Sequence, residues 1–443
     1  HVDCLDHVPA KGAEFETAER IQDMMGRIRT MDSHSLEITS DFDKAPVELL
    51  ARAHSREYIR QVNNHAKHVE SDTVDDRGID AASSGAQSNI SVGSLRAARR
   101  AAGAVMTAVD RVLRGRNRNA FCVVRPPGHH AGVHGLLSDG TGHGFCIFNN
   151  VAAGALHALE AEEHRCARVA VIDIDIHHGN GTEEIVRAYP KPDQLLFFSI
   201  HLYDKEATHT QHGAKSYEFY PGSGSGDDTV HNIINVPLMP LWRPSHPHLG
   251  NPRSAHSPSE ADDAAAGADP RAGRNAFRKA ISARLVPTLR AFNPELILLS
   301  TGFDALAEDL GNARPTPGDL TAAPVVNAGG AMGIDLTPND LFWVTKEIQK
   351  IADMCCGGRI VSVLEGGYGS IPRSGKWSAH HSNQLDPTKQ GTDGARKEKW
   401  MVDRSQLGWA SAAHLSALVD PYSWNPEKLL QEGESQQLFM NER

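Results

Sequence analysis

The run Val169–Ile176, VAVIDIDI, limits the possible folds more than any other stretch. It is β-branched and apolar at successive positions, so a strand made from it is buried on both faces. That happens where helices cover both sides of a parallel sheet. Five more runs share the pattern: 120–126 (AFCVVRP), 195–202 (LLFFSIHL), 232–238 (NIINVPL), 294–304 (PELILLSTGFD) and 358–368 (GRIVSVLEGGY). Helical patterns over 95–114, 150–163, 275–291 and 339–355 separate them. The alternation predicts an α/β domain with a parallel sheet and helices on both faces. With 443 residues, 40% of them hydrophobic, the chain can bury a large core. Residues 203–217, 243–274, 312–333 and 370–400 break the rhythm and read as surface insertions; 243–274 is rich in Pro, Ser, Ala and Asp.

The same run raises a difficulty, because Asp173, Asp175 and His177 stand at alternate positions among isoleucines. Acids beside an apolar core are costly unless something compensates them. Other polar groups also fall just after apolar runs: His129 and His130 in VVRPPGHHAG, Asp304 in LLSTGFDAL, and Tyr368 in VLEGGYG. Taken singly, each has an ordinary explanation, such as a helix cap, a surface histidine or a packed tyrosine. Ligands in open parallel sheets gather beyond the carboxyl ends of the strands, and these groups all point to that rim. Residues two apart on a strand share a face and lie about 6.6 Å apart, so Asp175 and His177 can converge on a cation. Asp304 supplies a third donor from another strand. One imidazole and two carboxylates suit zinc with a position open for water. Asp173 lies one pleat deeper and is expected to orient a histidine or to hold a buried cation.

Bulk properties narrow the function. The formal net charge of −10 argues against direct nucleic-acid binding. No apolar run reaches the roughly 18–20 residues of a membrane span, and no secretory leader is visible. Six cysteines without a C-x-x-C pair read as reduced thiols of an intracellular protein, which makes a cysteine zinc site unlikely.

The strings ETAERI, AHSREYI, VVRPPGHHAG, GFCIFNNVAAGAL, VIDIDIHHGNGTEEI, FFSIHLYD, FYPGSG, FNPELILLSTGFDAL and LEGGYG together resemble the zinc-dependent histone deacetylase family, in particular its class II branch. They run in the family's order over roughly residues 1–370. The resemblance implies an arginase/deacetylase fold, with a central parallel sheet of about eight strands flanked by helices. It also implies a single deacetylase domain over 1–443: a core over 1–370 with insertions near 203–217, 243–274 and 312–333, and a C-terminal extension, 371–443, packing on it. Carried over residue by residue, it makes Asp175, His177 and Asp304 the ligands of one catalytic zinc, in agreement with the spacing. It makes His129 and His130 the tandem histidines, supported by Asp173 and Asn180, and Tyr368 the catalytic tyrosine. Asn180 stands where class I members usually carry Asp. Gly144, Phe145, Tyr220, Leu310 and Gly366 would line the acyl-lysine channel. Asp173, Asp175, His177, Ser199 and Ile200 would hold a structural potassium ion.

The activity implied is hydrolysis of acetyl-lysine in histones or other proteins, releasing acetate. Zinc would polarise the amide carbonyl and acidify water. His130 would take the water's proton and return it to the lysine amine, and Tyr368 would stabilise the oxyanion. An acetylated protein substrate, a possible corepressor complex, and a location in nucleus or cytoplasm are implied by the same resemblance. The chain departs from the family's pattern in two places: Tyr220 replaces the usual second channel Phe, and ALAEDLGNA after Asp304 lacks the Asp-Pro-Leu expected there. Asp72 and Ser88 are the candidates for the rim residue that holds the substrate backbone. Two alternatives stay open, an amidohydrolase acting on acetylpolyamines or other small acetylamides, and a weakly catalytic acetyl-lysine-binding scaffold. Retention of Tyr368, the three metal-type donors and both histidines favours an active enzyme.

Overall fold

A computed structural model of the chain describes residues 1–8, 15–31, 34–71, 90–135, 145–204, 208–209, 215–216, 219–242, 272–313, 332–370 and 402–419. Most of the insertions expected near 203–217, 243–274 and 312–333, and most of 371–443, lie outside these residues, as do Gly144, Asp72 and Ser88.

Each of the six apolar runs forms a strand. β1 (Asn119–Cys122), β2 (Val169–Asp173), β3 (Leu195–Leu202), β6 (Ile233–Leu238), β7 (Leu296–Thr301) and β8 (Ile360–Leu364) make one sheet in the order β1-β8-β7-β2-β3-β6. All its pairings are parallel. A separate two-stranded ribbon, β4 (Thr208–His209) with β5 (Lys215–Ser216), lies within the expected 203–217 insertion. Six strands in the main sheet, against the about eight implied by the family resemblance, are those found among the described residues.

Two-sided burial is literal in β2. Val169 and Val171 enter one core, while Ala170 and Ile172 enter a second. The same alternation runs through β3, where Leu195 and Phe197 face one way and Leu196 and Phe198 the other. The first core is closed by α4 (Ser94–Leu113) and α5 (Asn150–Glu160), and α3 (Arg56–Ser71) adds Tyr58 and Ile59 to it. The second is closed by α7 (Ala272–Ala280), α8 (Val286–Phe292) and α9 (Pro338–Cys356), with a π-helical turn, Ile281–Leu285, joining the first two. α10 (Ser405–Val419) is apolar on nearly all sides and packs between α1 (Ala18–Ile28) and α9. Its Trp409 ring lies 3.3 Å from the Arg27 guanidinium, and His414 bridges Thr345 and Ser362.

Strand order places the site. From β2 the chain moves to β3 and then β6 on one side of the sheet. It then crosses back to lay β7 and β8 on the other side. The direction reverses between β2 and β7, the position where open α/β sheets form a crevice. Asp173 is level with Ser300 of β7 and Ser199 of β3, so the loops leaving β2 and β7 emerge side by side. All six cysteines are free thiols. No helix among the described residues is long and apolar enough to cross a membrane.

α4 packs closely against the segment before α2 (Val47–Ala53). A Cβ added at Gly103 would lie 1.9 Å from the Asp43 carbonyl oxygen. In an exposed helix Gly→Ala stabilises by about 1 kcal/mol. Here Gly103→Ala should destabilise by about 1–3 kcal/mol through overpacking, read as a lower midpoint in denaturant unfolding. A raised midpoint would contradict this packing.

Candidate active site

Asp175 and His177 lie in the loop between β2 and α6 (Asn180–Ala188), and Asp304 just after β7. Their donor atoms all lie within 4.8 Å of one another. His177 Nδ1 stands 3.1 Å from Asp175 Oδ1 and 3.0 Å from Asp304 Oδ2. Backbone amides hold the remaining oxygens. Asp175 Oδ2 accepts from Gly366 N–H, and Asp304 Oδ1 accepts from Ile176 N–H. Two glycines make this approach possible. A Cβ at Gly302 would lie 1.9 Å from Asp175 Oδ2, and one at Gly366 would lie 2.1 Å from Asp304 Oδ2. Gly366 therefore packs against the carboxylates. The His177 ring stacks on Phe219 at 4.9 Å. Burial alone would depress its imidazole, but Asp175 and Asp304 hold it up at about 9. The two carboxylates thus draw positive charge onto that nitrogen.

Asp173 is fully buried and accepts twice, from His129 at Nδ1 (2.9 Å) and from Asp175 N–H (3.1 Å). Ser199 lies beside it in register, and Ile200 follows as a buried core residue.

The tandem histidines differ electrically. Their rings lie 4.0 Å apart. Burial opposes charge on His129, yet Asp173 and Asp175 raise it well above its ordinary value. For His130, burial and then the charge of His129 lower it well below that value. Its Nδ1 meets the neutral Asn180 Oδ1 at 2.7 Å. In this orientation Nδ1 donates, leaving Nε2 as a base. Tyr220 packs edge-on against the His130 ring at 4.9 Å.

Tyr368 stands on the other flank, with Phe145 edge-on to its ring at 5.8 Å. Leu310 shares the same small cluster and donates its N–H to Gly369 O, beside Tyr368. Burial, reinforced by the charge of Asp304, pushes the Tyr368 phenol well up, so it remains a donor.

Several supporting residues carry no role that their local sequence suggests. Arg20 lies 4.8 Å from the Tyr368 ring centroid and donates to the carbonyls of Glu365 and Gly367. Glu16 pairs with both Arg20 and Arg125, all three fully buried. Despite burial, His7 and the two guanidiniums hold the Glu16 carboxyl down at about 2. Glu365 accepts from Gly128 and His129 N–H and from Ser300 Oγ, and burial raises it to about 7. Asp309 accepts from the Gly311, Tyr368 and Gly369 amides and is likewise raised by burial to about 7. For Arg125 and Glu365 the usable signal is the one that exposes Asp173: a charge directly beside an apolar run, as in VVRPP and SVLEGG.

Residues 14–384 match the histone deacetylase domain. The chain belongs to the histone deacetylase family. Type-2 histone deacetylase 2 of Dictyostelium discoideum is 37% identical over 279 residues, which are 62% of this chain and 13% of that protein. Chloroplastic histone deacetylase 14 of Arabidopsis thaliana is 29% identical over 374 residues, 83% of this chain and 69% of that protein. A histone deacetylase-like amidohydrolase of Pseudomonas aeruginosa is 31% identical over 285 residues, 64% of this chain and 57% of that protein. Among solved structures, the HDA15 HD domain superposes with a TM-score of 0.59 at 22% identity, covering 95% of this chain and 86% of that one. That likeness shows the fold.

The neutral partner of His130 gives a direct prediction. Asn180→Asp places a carboxylate against Nδ1 and should raise the His130 pKa by about 1–3 units, measured by NMR titration of histidine-labelled protein. An unmoved resonance would mean that the two side chains are not in contact.

Proposed function

We propose that this domain is a zinc-dependent protein lysine deacetylase. The observation that carries the proposal is the convergence of His177 Nδ1 with the Asp175 and Asp304 carboxylates, beside two adjacent imidazoles of which one faces a carboxylate and the other a neutral amide. Two buried carboxylates and a half-buried imidazole, mutually close, fit zinc. Zinc held there would act as a Lewis acid on the amide carbonyl and make water more acidic.

The chain's own groups supply the rest. His130 Nε2 takes the proton of the attacking water and delivers it to the departing lysine amine. His129, kept cationic by Asp173, adds electrostatic stabilisation. The Tyr368 phenol, kept protonated, donates to the oxygen that becomes negative. Phe145 and Tyr220 flank the lysine methylenes, with Leu310 beside Tyr368. Potassium at Asp173, Asp175, His177, Ser199 and Ile200 belongs to the same proposal. Its support is the buried negative charge around Asp173 and the position of Ser199 beside it in register.

The kinship with a protein named an amidohydrolase supports a second substrate class, small acetylamides such as acetylpolyamines. Turnover of acetyl-lysine peptide, a longer acyl-lysine peptide and acetylspermidine should be compared side by side. The acetyl-lysine peptide is expected to be turned over with the highest kcat/KM. Turnover of the polyamine alone would overturn the proposed substrate. Tyr368→Phe should lower kcat by about 10²–10³ with an unchanged melting temperature. An unchanged kcat would remove Tyr368 from the chemistry.

A further inference from the structure

A second group of metal-type donors lies at the far end of α5. Asp110 comes from α4, His157 from the last turn of α5, and Glu163 and His164 from the turn after it. One donor atom from each of the four lies within 4.8 Å of all the others. His157 Nε2 and His164 Nε2 approach the same oxygen, Asp110 Oδ1, at 2.7 and 2.6 Å. Their rings meet edge-on at 5.4 Å. The two histidine side chains are 6% and 2% exposed, so packing rather than water sets where they point. Glu163 is exposed, with a carboxylate oxygen within 4.8 Å of the other donors.

From this convergence we propose that Asp110, His157, Glu163 and His164 form a second zinc site, structural and separate from the catalytic rim. Two imidazole nitrogens with carboxylate oxygens are a donor set zinc accepts, and four protein ligands make the closed tetrahedron of structural sites. Bonds of about 2.0–2.1 Å put tetrahedral donors about 3.3 Å apart. Each imidazole therefore withdraws from Asp110 by about 0.6 Å, and Glu163 moves in. One neighbour must also yield. Arg52 Nη1 lies 3.4 Å from His157 Nδ1, which carries the hydrogen once Nε2 ligates a metal. Arg52 is close to Glu160 as well, at 3.6 Å, and can settle there.

The placement suggests what the site does. The other end of α5 is capped by Asn149, whose side chain also donates to Ala131 O and Thr182 Oγ1 beside the tandem histidines. An 11-residue helix is about 16 Å long. Zinc at its C-terminal end would clip α4, α5 and the next turn together, fixing the helix whose N-cap braces the segment after the tandem histidines.

The test is metal content of the full chain, loaded with zinc(II) and dialysed to remove weakly held ion. Wild type should hold about two zinc ions per chain, and the His157→Ala/His164→Ala variant about one. That variant should keep acetyl-lysine turnover within about twofold and lose the zinc-dependent rise in melting temperature. Should it fail to fold, Asp110→Asn keeps the shape of the site and should likewise reduce zinc content to about one. Zinc content left unchanged by both the His157→Ala/His164→Ala and the Asp110→Asn substitutions, or a single wild-type zinc that Asp304→Asn removes, would overturn the proposal. Asp304→Asn separates the two sites: loss of its zinc together with turnover tests the catalytic assignment and leaves the α5 site intact.

Discussion

Four carboxylates buried at one end of an aliphatic sheet set the terms for the whole structure. Asp173, Asp175, Asp304 and Glu365 are all sealed from solvent. Taking an ion out of water costs several kcal/mol even after relaxation, unless charge and hydrogen bonds offset it. Asp173 is offset by His129, and Glu365 by two backbone amides and Ser300. Asp175 accepts from the Gly366 and His177 amides and Asp304 from that of Ile176, and both carboxylates face the single Nδ1 of His177. Burial and the charge of Asp175 both push Asp304 upward, which marks it as short of positive charge. A dication between these three donors resolves that shortage more fully than one imidazole proton does.

Topology makes the arrangement possible. Asp175 and Asp304 are 129 positions apart in sequence, yet they come after neighbouring parallel strands whose ends are level at Asp173 and Ser300. The reversal of strand order between β2 and β7 opens the crevice there. Gly302 and Gly366 let the backbone close onto the carboxylates. Asp309 ties the loop bearing Leu310 to the loop bearing Tyr368. Arg20 fixes that second loop from α1, through the carbonyls of Glu365 and Gly367. The rim is assembled from segments held by buried charges rather than by local turns.

Much of this is legible in the residues. The four inner strands, β2, β3, β7 and β8, announce themselves because strands buried on both faces are almost wholly apolar, and VAVIDIDI marks the site because its acids contradict that rule. The convergence of Asp175 and His177 is expected from strand spacing, but β2 ends at Asp173, and the loop after it, not a shared strand face, brings the two donors together. The count of about eight strands rests on resemblance alone, with no seventh or eighth apolar run evident. The contact of Arg20 with Gly367 is not readable, because it spans 347 positions and nothing local in ETAERI predicts it. Leu310 has no firm place in the sequence, because ALAEDLGNA lacks the Asp-Pro-Leu of the family's pattern. In the structure its N–H bonds to Gly369 O and its side chain packs with Tyr368. The π-helical turn at Ile281–Leu285 has no distinctive sequence, since its residues suit an α-helix equally well.

The central claim is that Asp175, His177 and Asp304 hold one zinc on which amide hydrolysis depends. Anomalous diffraction at the zinc absorption edge, on crystals of active protein and of Asp304→Asn, tests it most directly. The account predicts a peak bounded by the three side chains in the active protein, and loss of both that peak and turnover in the variant. An active protein with no peak there, or a variant that loses the peak and keeps full turnover, would contradict it.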